Sequence, residues 1–363
     1  MRASELNMAS IGIAGAGLLG RLLAWRLVRA GHRVTVFDPA HGPAPSFDGH
    51  GAAAFTAAGM LSPVAELESA SPGVARLGMR SIGLWRQIVA ALPGRSMLAE
   101  LGSLLLAHRS DLGAAERVLA RLRPAPEAGL AAEALDGSRL HALEPALSGI
   151  EHAWLLPGEA HIDTLGVMAA LFEGAAGARW CFDSAVTRIE PGRLHAQGHD
   201  WQRFDTVFDV RGLGARPDLP VRGVRGETVW LHAPGLGLRR PLRLLHPRHR
   251  VYIVPRPGDE LIVGASQVES EDRSPVSLKT AVELMTAAHS VLPQLSEARI
   301  VRLDRNLRPA LPDHEPHTEV REGLVRINGL FRHGWLLAPA LVDTALTAAE
   351  LAQAPEAQGV DAA

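Results

Sequence analysis

Hydrophobic and polar positions divide the chain into elements. Residues 10–14, Ser-Ile-Gly-Ile-Ala, form a short apolar run ending at a glycine turn, as a buried strand does. From Leu18 to Ala30, Leu19, Leu22, Leu23 and Leu27 recur at helical spacing and the pattern stops at Gly31. Arg33 to Phe37 reads as a second strand, followed by Asp38. This is a βαβ unit of about thirty residues. Residues 39–51, rich in Pro, Gly and His, are predicted as loop.

Residues 72–140 read as mostly helical and alanine-rich, broken at Pro93, Pro124 and Pro126, with a strand-like patch over 102–107. A helix is predicted over 165–174, and strands over 185–189 and 206–210. Alternating strands dominate between Glu227 and Gly264, notably 251–254 and 261–263. Helices follow over 275–292 and from near Pro339 to about 352. The tail, 355–363, lacks apolar periodicity and reads as disordered. There is no internal repeat. Interleaved strands and helices indicate an α/β class with an antiparallel sheet inserted in the second half.

At 363 residues the chain is long enough for two domains. A 47% hydrophobic and 21% charged composition with net charge −2 describes a globular protein, and the lack of a basic surplus argues against a nucleic-acid partner. The one cysteine, Cys181, excludes an intrachain disulfide, and its default role is that of a small buried hydrophobe. Lys279 is the only lysine and is expected to face solvent. The apolar stretch 11–27 is interrupted by Arg21 and Arg26, and no uncharged run of about 18 residues exists, so export and membrane insertion are not expected. His246, His249, His314, His317 and His333 lack metal-site spacing, and no metal is expected.

Gly15-Ala16-Gly17-Leu18-Leu19-Gly20 follows the first strand and opens the first helix. Gly15 permits the turn, Gly17 lets backbone approach a pyrophosphate, and Gly20 allows close helix–strand packing. Helix N–H groups face the phosphates, and Asp38 would accept from a ribose diol, which favours NAD or FAD over NADP. The small-residue stretch 57–63, Ala-Ala-Gly-Met-Leu-Ser-Pro, reads equally as a second cofactor-contacting segment or a packed loop.

These features occur in order with Leu143-Glu144-Pro145, Tyr252-Ile253-Val254-Pro255-Arg256, Leu307-Arg308-Pro309 and Phe331-Arg332-His333-Gly334-Trp335-Leu336-Leu337-Ala338-Pro339. Together, over nearly the whole chain, they resemble the D-amino-acid oxidase superfamily of FAD enzymes, most closely the glycine oxidases of thiamine biosynthesis. The resemblance implies a Rossmann-like FAD-binding domain (1–82, 145–220 and 302–363) with an inserted antiparallel-sheet substrate domain (83–144 and 221–301). It also implies non-covalent FAD. Gly15, Ala16, Gly17, Leu18, Leu19, Gly20 and Asp38 would hold its ADP half. Ala58, Gly59 and Met60 would lie along the flavin, and Val186 would meet the adenine. Leu330, Phe331, Arg332, His333, Gly334, Trp335 and Leu336 would form the turn and helix entrance at the isoalloxazine. Arg308 matches the family's carboxylate-binding arginine, Tyr252 its partner tyrosine and Arg332 a second arginine near the site. Asp38 stands where glutamate is common, Leu330 where histidine often precedes the Phe-Arg pair, and Arg250, after His249, where members can carry histidine.

Tyr252, the sole tyrosine, falls on a predicted strand and Arg308 on a Leu-Arg-Pro turn, where phenol and guanidinium could grip one carboxylate. Each residue also has a plainer reading: Tyr252 as core filling, Arg308 as a surface charge, and Arg332 as a surface or interface charge. The implied reaction oxidises glycine or a similar small amino acid, with molecular oxygen yielding peroxide, in the cytoplasm and in support of thiazole synthesis. The rivals are a D-amino-acid or sarcosine-type oxidase or dehydrogenase and, less favoured, an RNA-modification flavoprotein. Oligomeric state is left open, a homo-oligomer included.

Overall fold

The computed structural model describes residues 8–94, 97–122, 131–147, 149–245 and 250–352. The βαβ unit is β1 (Ser10–Ala14), α1 (Leu18–Arg29) and β2 (Arg33–Phe37), within a residue of the sequence reading. Next come β3 (Met60–Leu61), α2 (Pro63–Glu66), α3 (Pro72–Ala91), β4 (Leu98–Ala99), β5 (Ser103–Ala107) and α4 (Leu112–Leu122). β6 (Glu133–Leu135), α5 (Gly137–Leu143), β7 (His152–Leu156), β8 (Ala160–Ile162), α6 (Thr164–Gly174) and β9 (Arg179–Cys181) follow. Three short strands, β10 (Val186–Glu190), β11 (Arg193–Ala196) and β12 (Gln202–Arg203), lead to β13 (Thr206–Asp209). The second half holds β14 (Arg222–His232), β15 (Leu242–Leu245), β16 (Arg250–Arg256), β17 (Glu260–Gly264), α7 (Leu278–Val291), β18 (Arg299–Ala310), β19 (His317–Arg321), β20 (Leu324–Asn328) and α8 (Gly334–Ala348).

Two large sheets dominate. The first has the order β19-β20-β13-β1-β2-β9 and is parallel except at the β19 edge. Ile11, Ile13 and Val36 share its core with Leu22 and Leu23 of α1, Trp85 of α3 and Leu337 and Val342 of α8. The second has the order β18-β14-β17-β16-β15-β5-β7-β6 and is antiparallel except between β15 and β5. Side-chain alternation separates its faces. Val251 and Ile253 pack towards Leu284, Ala288 and Val291 of α7, whereas Tyr252 and Val254 pack with Ala58 and Met60. The sheet's second face thereby lies against the segment after the glycine turn.

Three features differ from the sequence reading. Helix α8 begins at Gly334 rather than near Pro339, which lies inside it. Pro339 has no N–H to offer the Trp335 carbonyl one turn earlier. The Trp85 indole Nε1–H fills the gap, donating to that carbonyl at 2.8 Å. Second, Leu307-Arg308-Pro309 is not a turn but the end of the twelve-residue strand β18. Pro309 fits there because β18 is the edge of its sheet and needs no donor on its open side. Third, β7 and β18, which fall in or across segments 145–220 and 302–363, both belong to the eight-stranded sheet. Cys181 is partly buried at the end of β9, and Lys279 is exposed on α7. His246, His249 and the 355–363 tail lie outside the described residues.

Candidate active site

A cavity of about 1050 Å³ lies between the glycine turn of the parallel sheet and the Tyr252 face of the larger sheet. At one end stands α1. Its N-cap is Gly17, with no side chain capping its first N–H groups and no acid in its first turn, so its positive end is free to meet an anion. Gly15, Ala16, Gly17, Leu18 and Leu19 line the cavity. Gly20 does not: a Cβ there would stand 1.8 Å from the Gly15 carbonyl oxygen, so this glycine permits helix–strand contact rather than ligand approach. Asp38 lines the same end, its carboxylate accepting from Ala16 N–H at 2.6 Å and Ala40 N–H at 2.9 Å. Val186 is beside it, its carbonyl accepting from Arg211 at 3.2 Å.

Ala58, Gly59 and Met60 form a middle wall, held from behind by Arg256, whose guanidinium donates to the Ala58 and Ile162 carbonyls. Burial lowers that guanidinium to about 10. Residues 330–336 supply the opposite wall, and α8 starts there with no side-chain cap and no acid in its first turn. Both walls, one about 40 and the other about 310 residues beyond the glycine turn in sequence, reach the cavity that the βαβ unit opens.

At the far end, Tyr252 and Arg308 lie on one face of the eight-stranded sheet. Tyr252 pairs across strands with Gly264, which pairs in turn with Thr228. A Cβ on Gly264 would come within 2.7 Å of the Tyr252 ring, and one on Gly226 within 2.3 Å of Arg308 Nη2. Two glycines on neighbouring strands therefore make a floor for the phenol and the guanidinium. Arg308 Nη1 donates to the Ser266 carbonyl at 3.1 Å. Ser266 is itself fixed: its Oγ donates to the Glu227 carboxylate at 3.1 Å and accepts from Glu227 N–H at 3.0 Å. Among the described residues no carboxylate lies within 4 Å of Arg308. Burial lowers the Arg308 pKa and raises that of Tyr252, which keeps the phenol protonated as a donor. Thr228 Oγ1, beside them on the cavity wall, is buried and has no hydrogen-bond partner among the described residues.

Arg332 also lines the cavity, but its charge is engaged: Nη2 donates to Glu66 and to Ser69 Oγ. Arg243, cross-strand partner of Tyr252, reaches Glu66 at 3.8 Å and Glu68 at 3.3 Å. Burial would raise the Glu66 carboxyl, but the neighbouring His333, Arg332 and Arg243 together outweigh it and hold Glu66 below the usual carboxylate range, so it is ionised. His333 Nδ1 stands 3.5 Å from Glu66, and burial pushes this imidazole down to about 4, so it is neutral near pH 7. Glu66, Arg243, Thr228, Gly226 and the loop Gly212-Leu213-Gly214 line the cavity without having been singled out in the sequence. A signal existed for the last of these, since two glycines follow the predicted strand at 206–210. The others carry none, because cross-strand register alone brings them here.

The cavity's size and walls fit a dinucleotide: free helix N–H groups and an acid at one end, small residues along the middle, and at the other a hydroxyl and a guanidinium that have, among the described residues, no hydrogen-bond partner and no carboxylate partner respectively. Among the described residues no three His, Cys, Asp or Glu side chains are grouped to hold a metal, and no helix is long and apolar enough to cross a membrane.

Residues 10–351 match the family model described as FAD dependent oxidoreductase, DAO. A Rhizobium etli protein named as thiamine biosynthesis oxidoreductase ThiO is 38% identical over 331 residues, covering 91% of this chain and 93% of its own length. The glycine oxidase of Geobacillus kaustophilus is 26% identical over 379 residues, covering 95% of this chain and 93% of its own. The crystal structure of the glycine oxidase from Geobacillus kaustophilus superposes with a TM-score of 0.79 at 24% identity, covering 96% of both chains. With a fold, a dinucleotide-sized cavity and a full-length family match in agreement, the chain belongs to the DAO family of FAD-dependent oxidoreductases.

Proposed function

We propose that the protein oxidises the amine of glycine, or of an amino acid of similar size, to an imine that water hydrolyses to the 2-oxo acid and ammonia. Oxygen takes the electrons and becomes hydrogen peroxide. In this reading the activity is cytoplasmic and supplies thiazole synthesis in thiamine formation, in keeping with the name of the Rhizobium etli relative. FAD, held without a covalent bond, supplies the two-electron acceptor.

The chain's own residues bind and orient. Arg308 offers a planar two-pronged donor, and Tyr252 a phenolic O–H on the same sheet face. One carboxylate gripped by both has its Cα direction set, which is most of what such a reaction asks of a protein. Glu66 pairs with Arg332, and Glu68 and Glu66 pair with Arg243, so a second anionic group on the substrate meets cations that are already paired. Neutral His333 and free N–H groups at the start of α8 border the site without adding a strong acid or base. The amine binds neutral, and no protein base is required.

The observation that carries this reading is the partly buried Arg308 guanidinium, beside Tyr252, with no carboxylate within 4 Å among the described residues. Such a charge calls for an anionic partner, and an amino-acid carboxylate supplies it. The test is a peroxide assay over glycine, sarcosine and D-amino acids, with anaerobic bleaching of the flavin as a second readout. Peroxide formed fastest with glycine or another small amino acid is the expected result. Bleaching by NADH but by no amino acid in the panel sinks the proposal.

A further inference from the structure

Arg21 projects from the first turn of α1 and is 2% exposed. A buried guanidinium normally faces a carboxylate, because an unpaired charge away from water is unfavourable. Among the described residues Arg21 has none within 4 Å. Its Nε–H donates to the Ala16 carbonyl at 3.0 Å, Nη1 to Met168 at 2.8 Å and Nη2 to Pro43 at 2.7 Å. Phe55 and Phe172 lie against it, the guanidinium carbon being 5.2 and 5.5 Å from their ring centroids. A guanidinium carries five N–H donors, and three of them are engaged in these bonds, so among the described residues one on each Nη is left to meet an incoming acceptor. Burial lowers the group to about 10, the more distant charge of Asp38 offsetting this only in part, and it stays cationic near pH 7. Arg21 also lines the cavity, beside Ala16 and Gly17 of the glycine turn and Ala44 and Ser46 of the following loop.

We propose that Arg21 is the counter-charge for the diphosphate of the bound dinucleotide, adding a fixed cation to the N–H groups of α1. The three carbonyls orient the fork and leave its charge uncompensated until an anion arrives. The glycine turn is a generic phosphate cradle; Arg21 makes it selective for a doubly charged bridge over an uncharged flavin. This assignment does not depend on which amino acid is oxidised.

The test is titration of apoprotein with FAD and with riboflavin, which shares the isoalloxazine but lacks phosphate, following flavin fluorescence. Losing a charge-assisted contact predicts that Arg21→Gln weakens FAD about 10- to 100-fold. Riboflavin affinity should hardly change, so the preference for FAD falls by the same roughly 10- to 100-fold, and the salt dependence of the FAD Kd should become shallower. Arg21→Lys, which keeps the charge, should retain most of the preference. Unchanged FAD affinity in Arg21→Gln, or equal weakening of both flavins, overturns the proposal in favour of a purely structural brace. If Arg21→Gln does not fold, Arg21→Lys decides: loss of its FAD preference at parent-like Tm overturns the charge argument.

Discussion

Replacing Arg308 by alanine should nearly silence the enzyme while leaving its yellow colour. Arg308 is held by one backbone acceptor, the Ser266 carbonyl at 3.1 Å, and lies over Gly226. No carboxylate within 4 Å, among the described residues, could be left stranded by its removal, so the empty protein loses little. A bound substrate loses much, since its carboxylate would sit beside the partly buried Tyr252 phenol without a cation. Truncating one member of a desolvated charge pair costs about 2–5 kcal/mol, which is about 30- to 4,000-fold in kcat/KM. Arg308→Lys keeps the charge but loses the planar fork that the Gly226 floor accommodates, so it should recover only part of the loss. The assay is peroxide release over a glycine series, with FAD occupancy read from absorbance. Should Arg308→Ala oxidise glycine as efficiently as the parent at full occupancy, the carboxylate is held elsewhere and Arg332 becomes the next candidate.

Tyr252→Phe keeps the ring over Gly264 and removes one donor to a carboxylate, so kcat/KM should fall by roughly 1.5–3 kcal/mol with the flavin spectrum unchanged; parent-like kinetics would favour the core-filling role. Gly17→Val and Gly20→Ala should part company. A Cβ at Gly17 meets only Ala52, at 3.8 Å, so that variant should fold and melt like the parent apoprotein yet fail to retain FAD. A Cβ at Gly20 stands 1.8 Å from the Gly15 carbonyl oxygen, so that variant should melt well below the parent. Burial pushes the His161 imidazole from 6.5 down to about 4. The folded state therefore binds fewer protons than the unfolded state between those values, and stability should be full above pH 6.5 and fall as pH drops towards 4. The difference is on the order of 3 kcal/mol. His161→Gln should flatten the Tm decline over that window, and an equally steep decline would show that other groups control it.

Near-neighbour patterns were readable without coordinates. The 10–37 unit appeared within a residue because its glycine turn, helical repeat and β-branched strand are local constraints on φ, ψ and burial. Tyr252 and Arg308 were also named, but as a strand residue and a turn residue with no reason in the intervening chain to meet. Two readings failed where a distant partner changed a local rule. Pro339 marks a helix start only until the Trp85 indole takes up the carbonyl it leaves free. Leu-Arg-Pro marks a turn only until β14 pairs along β18 from Arg222–Ala310 to His232–Arg299.

The sequence by itself therefore determined the dinucleotide turn, its acid, the order of the main strands and helices and, through resemblance, the residues worth testing. Tertiary structure alone decided what surrounds them. Gly226 and Gly264 are ordinary among 36 glycines until strand register sets them under Arg308 and Tyr252. Arg21, Arg332 and Arg243 look alike as letters, yet Glu66 and Glu68 pair with the last two while no acid reaches the first among the described residues. The physical reason is range. Torsional preference and periodicity act over a few residues, whereas the charge state and accessibility of a site depend on through-space neighbours that the chain brings together from tens to hundreds of residues away.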